Sequence, residues 1–341
     1  MKTAVVILNW NGRKFLERFL PSVVRFTDEP DTEIIVADNG SEDDSTEFLT
    51  RRYPEIRQIR LGRNYGFAEG YNRALAQVEA EYFVLLNSDV EVTEGWLRPL
   101  VRLLDERPDA AAAMPKIRSL ADPGRFEYAG AAGGYIDMLG YPFCRGRVLN
   151  VTEEDRGQYD DRREIFWATG ACMAIRSRLF REYGGFDGDF FAHQEEIDLC
   201  WRLKQAGHRI FAEPASTVYH LGGGTLPAET PRKVFLNFRN NLSMLYKNLS
   251  SRSLYPVLLF RMGLDGLAAL RYRADGQKEL YRSVIRAHRE FRRALPTLKQ
   301  KRREVQARRT GRPDSVYRGS ILLRYLLGKR TAPDVKGTNR N

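Results

Sequence analysis

The sequence predicts an α/β fold, a mostly parallel sheet flanked by helices, with a C-terminal helical extension. Three observations predict it. Short apolar runs alternate with segments of helical periodicity over residues 3–117. Three of those runs end in polar or acidic clusters: Asn9-Trp10-Asn11-Gly12, Asp38-Asn39-Gly40-Ser41 and Asn87-Ser88-Asp89. From Pro231 onward the pattern is helical.

The elements follow in order. Residues 3–8 are an apolar run too short for a signal h-region, so the N-terminus reads as a first strand and not a leader. Residues 13–26 carry Phe15, Leu16, Phe19, Leu20, Val23 and Val24 at helical spacing. Residues 33–37 form a second strand, and 41–52 a helix opened by a serine cap and first-turn acids. Strand 56–61, helix 67–78, strand 82–86, helix 95–107 and strand 110–117 complete the alternation. Residues 119–165 are rich in glycine, tyrosine and charge, and read as hairpins and loops around a site. Next come strand 168–175, short helix 178–183, helix 195–206 stopped by Gly207, and short strands 209–212 and 217–219. Helices are expected over 232–249, 254–273 and 277–309, with a disordered tail after Thr331. The chain thus divides at 1–118, 119–229, 230–330 and 331–341, with no internal repeat.

Composition sets bounds. At 341 residues, 43% hydrophobic and 29% charged, the chain has the makeup of a soluble globular protein, and its longest apolar runs are too short to span a bilayer. Three widely spaced cysteines, Cys144, Cys172 and Cys200, form no CxxC pair, which excludes a metal knuckle and a disulfide framework and points to the cytoplasm. The net charge of +11 is concentrated. Residues 271–330 hold 19 basic and 5 acidic side chains, an excess of fourteen, so the remainder is three negative. Such a segment implies contact with an anionic surface, and anionic lipid on the inner face of the cell membrane suits it. No nucleic-acid module accompanies the basic residues, so nucleic acid is not expected as a partner.

In open parallel sheets ligands bind beyond the carboxyl ends of the strands, which is where the three polar clusters fall. Asp38 reads either as a turn residue or as an acceptor for a nucleobase or ribose. Asn64-Tyr65-Gly66 is a glycine-bearing turn into a helix whose N-terminus could face phosphate, though it is neither GxGxxG nor a Walker loop. Asp89 is either a cap or a ligand for a hard cation on a diphosphate. His220 ends a strand before a run of glycines that lets backbone approach a ligand. In Phe190-Phe191-Ala192-His193-Gln194-Glu195-Glu196-Ile197-Asp198-Leu199-Cys200-Trp201-Arg202, three acids sit among bulky apolar groups, a setting for a carboxylate base. Asp198 and Arg202, four apart, also fit a structural ion pair, while Glu196 points about 100° away from Glu195.

Assembled, these segments resemble a known family. Val6-Ile7-Leu8-Asn9-Trp10-Asn11-Gly12, Val36-Ala37-Asp38-Asn39-Gly40-Ser41, Asn64-Tyr65-Gly66-Phe67-Ala68, Leu86-Asn87-Ser88-Asp89, Thr169-Gly170-Ala171-Cys172-Met173, Gly184-Gly185-Phe186-Asp187, the Glu195 to Arg202 run and Arg239-Asn240 carry the resemblance. In order and spacing they resemble family-2 glycosyltransferases of the GT-A type, with a Rossmann-like nucleotide-binding sheet. They are nearest the bacterial rhamnosyltransferase-like enzymes of cell-surface polysaccharide synthesis. The resemblance implies a nucleotide-sugar-binding half over 1–118 and an acceptor-binding, catalytic half over 119–229. It implies Asn9, Asn11, Asp38, Asn64, Gly66, Asn87 and Arg239 around the nucleotide, Arg239 helping to neutralise the leaving group. Asp89 and His220 would hold Mg²⁺ or Mn²⁺, and Gly170, Ala171 and Trp201 would flank the sugars. Glu196 would be the base, with Glu195 as its rival and Asp198 beside them. Two departures stand out: Asn87 where many relatives have Asp, and Glu at the base position. The implied activity is inverting transfer of a sugar from a nucleotide-diphosphate donor to a saccharide or lipid-linked acceptor. The alternatives are a sugar nucleotidyltransferase, whose basic glycine-rich loop residues 9–12 lack, and a basic nucleic-acid- or membrane-binding protein with a degenerate transferase domain, against which the intact acids argue.

Overall fold

The computed structural model describes residues 1–222 and 230–335. Gly223, Gly224 and Thr225 of the expected glycine loop, and the tail from 336 onward, lie outside the described residues. Strands and helices alternate as β1 (Thr3–Asn9), α1 (Arg13–Phe26), β2 (Thr32–Asp38), α2 (Ser45–Arg52), β3 (Arg57–Arg60), α3 (Gly66–Leu75), β4 (Tyr82–Asn87), β5 (Val90–Val92), α4 (Leu97–Glu106) and β6 (Ala110–Ser119). Short strands β7 (Gly134–Asp137), β8 (Pro142–Cys144), β9 (Arg147–Val148), β10 (Val151–Thr152) and β11 (Arg163–Ile165) come next. They are followed by β12 (Cys172–Arg176), α5 (Ser177–Glu182), α6 (Glu195–Gln205) and β13 (Arg209–His220). Helices α7 (Pro231–Asn248), α8 (Ser251–Ala274) and α9 (Lys278–Ala307), strand β14 (Val316–Tyr317) and helix α10 (Ile321–Leu326) end the described chain.

The main sheet runs β11-β13-β6-β12-β4-β1-β2-β3, with β5 paired to β13. Strands β4, β1, β2 and β3 are parallel, as are β6 and β13, and nearly every apolar side chain of β1, β4 and β6 is buried. A strand buried on both faces reads as a continuous apolar run, which is why these elements were visible in the sequence. β12 departs from the parallel expectation: it runs antiparallel between β4 and β6, with Cys172 opposite Leu86. Its amino end therefore lies at the carboxyl edge of the parallel strands and delivers Gly170 and Ala171 there, where Asn87 N donates to Ala171 O at 2.9 Å. The two short strands expected over 209–219 are one strand, β13, with a register shift between Glu213 and Thr217. Pro214 interrupts the pattern because it cannot donate to the ladder, and a bulge absorbs it. Residues 134–152 form antiparallel hairpins, closed at one side by β14. The end of the chain through Val335 is seated and not loose, with Val335 buried and Ala332 N donating to Glu153 Oε1.

Helix α7 belongs to the core of the domain, although its sequence reads as the start of an appendage. Asn240 Nδ2 donates to the carbonyls of Phe190, Ala192 and His193, at 3.0, 2.9 and 2.8 Å. Asn241 Nδ2 reaches Gln194 Oε1 at 3.1 Å. Lys247 Nζ bridges Asp187 at 2.6 Å and Asp198 at 2.9 Å, and Asn248 Nδ2 donates to Asp198 Oδ1 at 2.8 Å. Arg202 completes the cluster from within α6, Nε to Asp198 Oδ2 at 2.9 Å. Arg302 and Gln306 of α9 then satisfy the C-terminal carbonyls of α7, among them Leu249 O at 2.6 Å and Lys247 O at 3.0 Å.

This corrects the place of Asp198 among the catalytic acids. The side chain is fully buried, and both oxygens are taken by Arg202, Lys247 and Asn248. It is an internal counter-ion. Asp198→Ala should lower the unfolding free energy in urea by about 3 kcal/mol, because it leaves buried cations short of a partner. A stable variant that has lost only activity would return Asp198 to the reacting groups.

Candidate active site

Register alone assembles the first part of the site. Asn9 pairs with Asp38 across β1 and β2, and Leu8 with Asn87 across β1 and β4. Asp38 and the turn after β4 therefore flank the end of β1, about 10 Å apart across two strand spacings. Asp38 Oδ2 accepts from the amides of Gly40 and Ser41, each at 3.1 Å. Ser41 Oγ in turn accepts from Asn9 Nδ2 at 3.2 Å and Asn11 N at 2.9 Å, and Asn11 Oδ1 accepts from Glu42 N at 2.7 Å. These bonds hold the two strand ends together and leave two acceptors over. Asp38 Oδ1 and Asn9 Oδ1 are both buried and lack a hydrogen-bond partner among the described residues. A buried acceptor without a donor is costly, so this corner is built for a ligand that brings donors. At Gly12 a Cβ would collide with Asn9 Oδ1 and lie 3.6 Å from Ser88 Oγ, so only glycine keeps the space between the two strand ends open.

The turn at Asn64 and Gly66 is differently occupied from the expectation that its helix start faces phosphate. Asn64 Oδ1 accepts from Gly66 N at 2.7 Å and from Asn39 Nδ2 at 3.3 Å. The next amides, Phe67 N and Ala68 N, donate to Phe191 O at 2.6 and 3.1 Å. A protein carbonyl thus takes the anion's place, and Asn64 and Gly66 shape the turn. Gly66 has φ +79, and a Cβ there would stand 2.6 Å from Phe191 O.

His220 comes next to Asp89 because β5 folds back antiparallel on β13, with His220 opposite Val90. His220 Nε2 lies 3.1 Å from Asp89 Oδ1. On its other side Nδ1 stands 3.1 Å from Glu127 Oε2, close enough for an ion pair but not aligned as a hydrogen bond. Burial by itself would lower the imidazole pKa, but the bond to Asp89 and the carboxylate of Glu127 outweigh it and hold it at about 10. Glu127 was not singled out in the sequence. The available signal was an acid between Phe126 and Tyr128 in a stretch otherwise read as loops. Among the described residues no group of three or more His, Cys, Asp or Glu side chains is arranged to hold a metal ion.

The α6 acids separate by environment. The segment before the helix is strained: Phe191, His193 and Gln194 have φ of +65, +70 and +73. Asn240 and Arg239 pin it, Arg239 Nη2 donating to the carbonyls of Asp189 and Phe190 at 2.8 and 3.0 Å. Those contacts make Arg239 a clamp on the loop. Glu195 is buried, and burial followed by the neighbouring Glu196 charge pushes its carboxyl well above the ordinary range. Glu196 is only half-buried. Its Oε2 is out of reach of solvent and has no partner among the described residues. Burial pushes its carboxyl up to about 7, against the backbone amides of Glu196, Ile197 and Gln194, which pull it down. Trp201 is not at the site surface: it is buried and packs edge-on against Phe166, with centroids 5.4 Å apart. At Gly170 a Cβ would stand 2.9 Å from the Phe67 ring, so Gly170 fits α3 closely to the strand edge.

Known proteins share the sequence pattern and the fold. The family model described as "Glycosyl transferase family 2" matches residues 4–184. The chain is 30% identical over 234 residues to the N-acetylglucosaminyl-diphospho-decaprenol L-rhamnosyltransferase of Mycobacterium tuberculosis (strain H37Rv), covering 63% of this chain and 75% of that one. It is 24% identical over 225 residues to the rhamnosyltransferase WbbL of Escherichia coli (strain K12), covering 63% of this chain and 82% of that one. Among solved structures, the mannosyltransferase PcManGT from Pyrobaculum calidifontis, in complex with GDP-Man and Mn²⁺, superposes with a TM-score of 0.52 at 14% identity over 96% of this chain and 88% of that one. GalNAc-T7 with UDP, GalNAc and Mn²⁺ gives a TM-score of 0.56 at 17% identity over 72% of this chain, which spans 48% of that one. At those identities the structures establish the GT-A fold. With the family model matching more than half its length, this chain belongs to glycosyl transferase family 2 and is a glycosyltransferase.

Proposed function

We propose that the protein is an inverting transferase that moves a sugar from a nucleoside-diphosphate donor to a saccharide or lipid-linked saccharide acceptor in cell-surface polysaccharide synthesis. The donor is of the dTDP-rhamnose or UDP-hexose type, a reading favoured by the two relatives named rhamnosyltransferases. A cytoplasmic location goes with it. The observation that carries the proposal is Glu196, a half-buried carboxyl at the start of α6, pushed up to about 7 and with an Oε2 that has no partner among the described residues.

The residues take the following roles. Asp38 Oδ1 and Asn9 Oδ1, the two unpartnered acceptors, receive donors from the nucleoside, with Asn11 shaping the turn beside them. Asn87 lines the strand end beneath the diphosphate. Asp89 and His220 would hold a divalent cation such as Mg²⁺ or Mn²⁺, the imidazole giving up for it the proton that it otherwise shares with Asp89 at 3.1 Å. When bound, such an ion supplies charge neutralisation to the diphosphate. Gly170 and Ala171, at the amino end of β12, flank the sugar. Glu196 accepts the acceptor hydroxyl proton as that oxygen bonds to the anomeric carbon from the face opposite the leaving diphosphate, whose C–O bond breaks. A base with a pKa near the working pH suits this transfer. Glu195, more deeply buried and raised further by the charge of Glu196, keeps its proton.

Three outcomes follow. Glu196→Gln should lower turnover by about 100- to 10,000-fold while nucleotide affinity, read by calorimetry, is unchanged. In the wild type, kcat/KM should rise with pH through about 7, and near-normal turnover in the variant would refute the role. Stability carries the same sign information. A carboxyl that keeps its proton up to about 7 when folded, against 4.5 ordinarily, makes the fold lose stability as pH rises across that window. Urea unfolding should therefore show Glu196→Gln gaining on the wild type between pH 4.5 and pH 8, and a constant difference would contradict the burial argument. Asp89→Ala and His220→Ala should each erase the increment that Mn²⁺ adds to nucleotide affinity. Binding curves that keep the increment would remove both residues from the cation. Screening UDP-, GDP- and dTDP-sugars for thermal stabilisation identifies the donor.

A further inference from the structure

Helix α8 turns a row of large apolar side chains outward. Leu259, Leu267, Tyr255, Leu270 and Phe260 are 66, 64, 63, 59 and 57% exposed, and Pro256 and Gly263 are exposed among them. At 100° per residue these positions occupy one arc of about 140°. Between Tyr255 and Leu270 that arc holds no charged residue. The two charges of the helix interior, Arg261 and Asp265, face inward instead, both buried and paired at 3.0 Å. Arg261 also stacks over the ring of Tyr141 at 3.6 Å, and His288 Nε2 of α9 lies 3.2 Å from Asp265 Oδ2. The outer face is left apolar because the interior charges of the helix are held on the inner one, beside Leu254, Leu258 and Ala269.

We propose that this outward face of α8 is a docking surface for an anionic lipid bilayer, on which the protein rests without crossing it. The helix has 24 residues and is long and apolar enough to span, although Arg261 and Asp265 break its apolar run in the sequence. Spanning, however, would tear the Arg261–Asp265 pair away from Tyr141 and His288 and place both charges in hydrocarbon. Lying in the interface keeps the inner contacts and buries only the apolar arc. Charge selects the partner. Arg252, Arg271 and Arg273 bracket the arc and are exposed, and the neighbouring α9 exposes Arg282, Arg286, Arg289, Arg292 and Arg293. Anionic headgroups complement that border, whereas a second copy would bring like charges together. The basic helix was the lipid-binding element expected from sequence; the structure assigns the apolar contact to α8 and leaves the arginines as its border.

The test is co-sedimentation of the full chain with vesicles of phosphatidylglycerol and phosphatidylcholine in equal parts. The variant is Leu259→Glu/Phe260→Glu/Leu267→Glu, three exposed positions outside the active site, with its fold checked by circular dichroism. The wild type should partition onto the vesicles, and the variant's partition coefficient should fall by about tenfold or more, with nucleotide-sugar hydrolysis in lipid-free buffer unchanged. Equal binding by the two proteins, or no binding by the wild type, overturns the proposal. So does a wild-type dimer that the substitutions turn into a monomer with vesicle binding intact, which would assign the face to a second copy. A protein that binds vesicles in this manner yet hydrolyses no nucleotide sugar supports the docking face and overturns only the transferase reading.

Discussion

The structure depends on one buried ionic cluster. Asp198 in α6 and Asp187 in the loop before it share Lys247 of α7, with Arg202, Asn248 and Lys301 of α9 around them. Charges taken out of water hold a fold only when each is paired and hydrogen-bonded, and here nearly every oxygen is. The positive charges of Lys247 and Lys301 outweigh the burial that would otherwise raise the Asp187 carboxyl, and hold it well below the ordinary range. The cluster fixes α6 against α7. It thereby sets where Glu195 and Glu196 stand relative to the sheet edge.

The same fixation sustains strained backbone. Left-handed conformations at Phe191, His193 and Gln194 are unfavourable for residues with a Cβ, and each costs of order 1–3 kcal/mol. Asn240 offsets this by donating to three carbonyls of the segment, while Phe191 O caps α3. One short loop thus links the nucleotide half, through α3, to the base helix α6 and to the C-terminal helices. Arg239, which the resemblance cast as a leaving-group contact, and Asn240 are the residues that hold the link.

The paired acids at the head of α6 divide their work by burial. Glu195 is enclosed and Glu196 keeps an opening, so two adjacent residues of one type have different proton affinities. A separate carboxylate–imidazole–carboxylate row, Asp89, His220 and Glu127, arises where β5 folds back on β13. Its members come from positions 89, 127 and 220, and only the sheet brings them together.

The sequence by itself determined the alternating strands and helices, the polar clusters at three strand ends and the acids at the start of α6. Each is a local property: hydrophobic periodicity, a cap, or an acid among apolar neighbours. Tertiary structure decided what local pattern cannot encode. It set β12 antiparallel in the middle of the sheet, turned Asp198 and Trp201 inward, filled the α3 N-terminus with Phe191 O, and drew Glu127 to His220. It also rotated α8 so that Arg261 and Asp265 point in and Leu259, Leu267 and Leu270 point out, an orientation fixed by Tyr141 of the hairpin region and His288 of α9. The physical reason is common to all of these. Whether an acid reacts, pairs or binds depends on which distant groups fill its surroundings, and those are chosen by the packing of the whole chain.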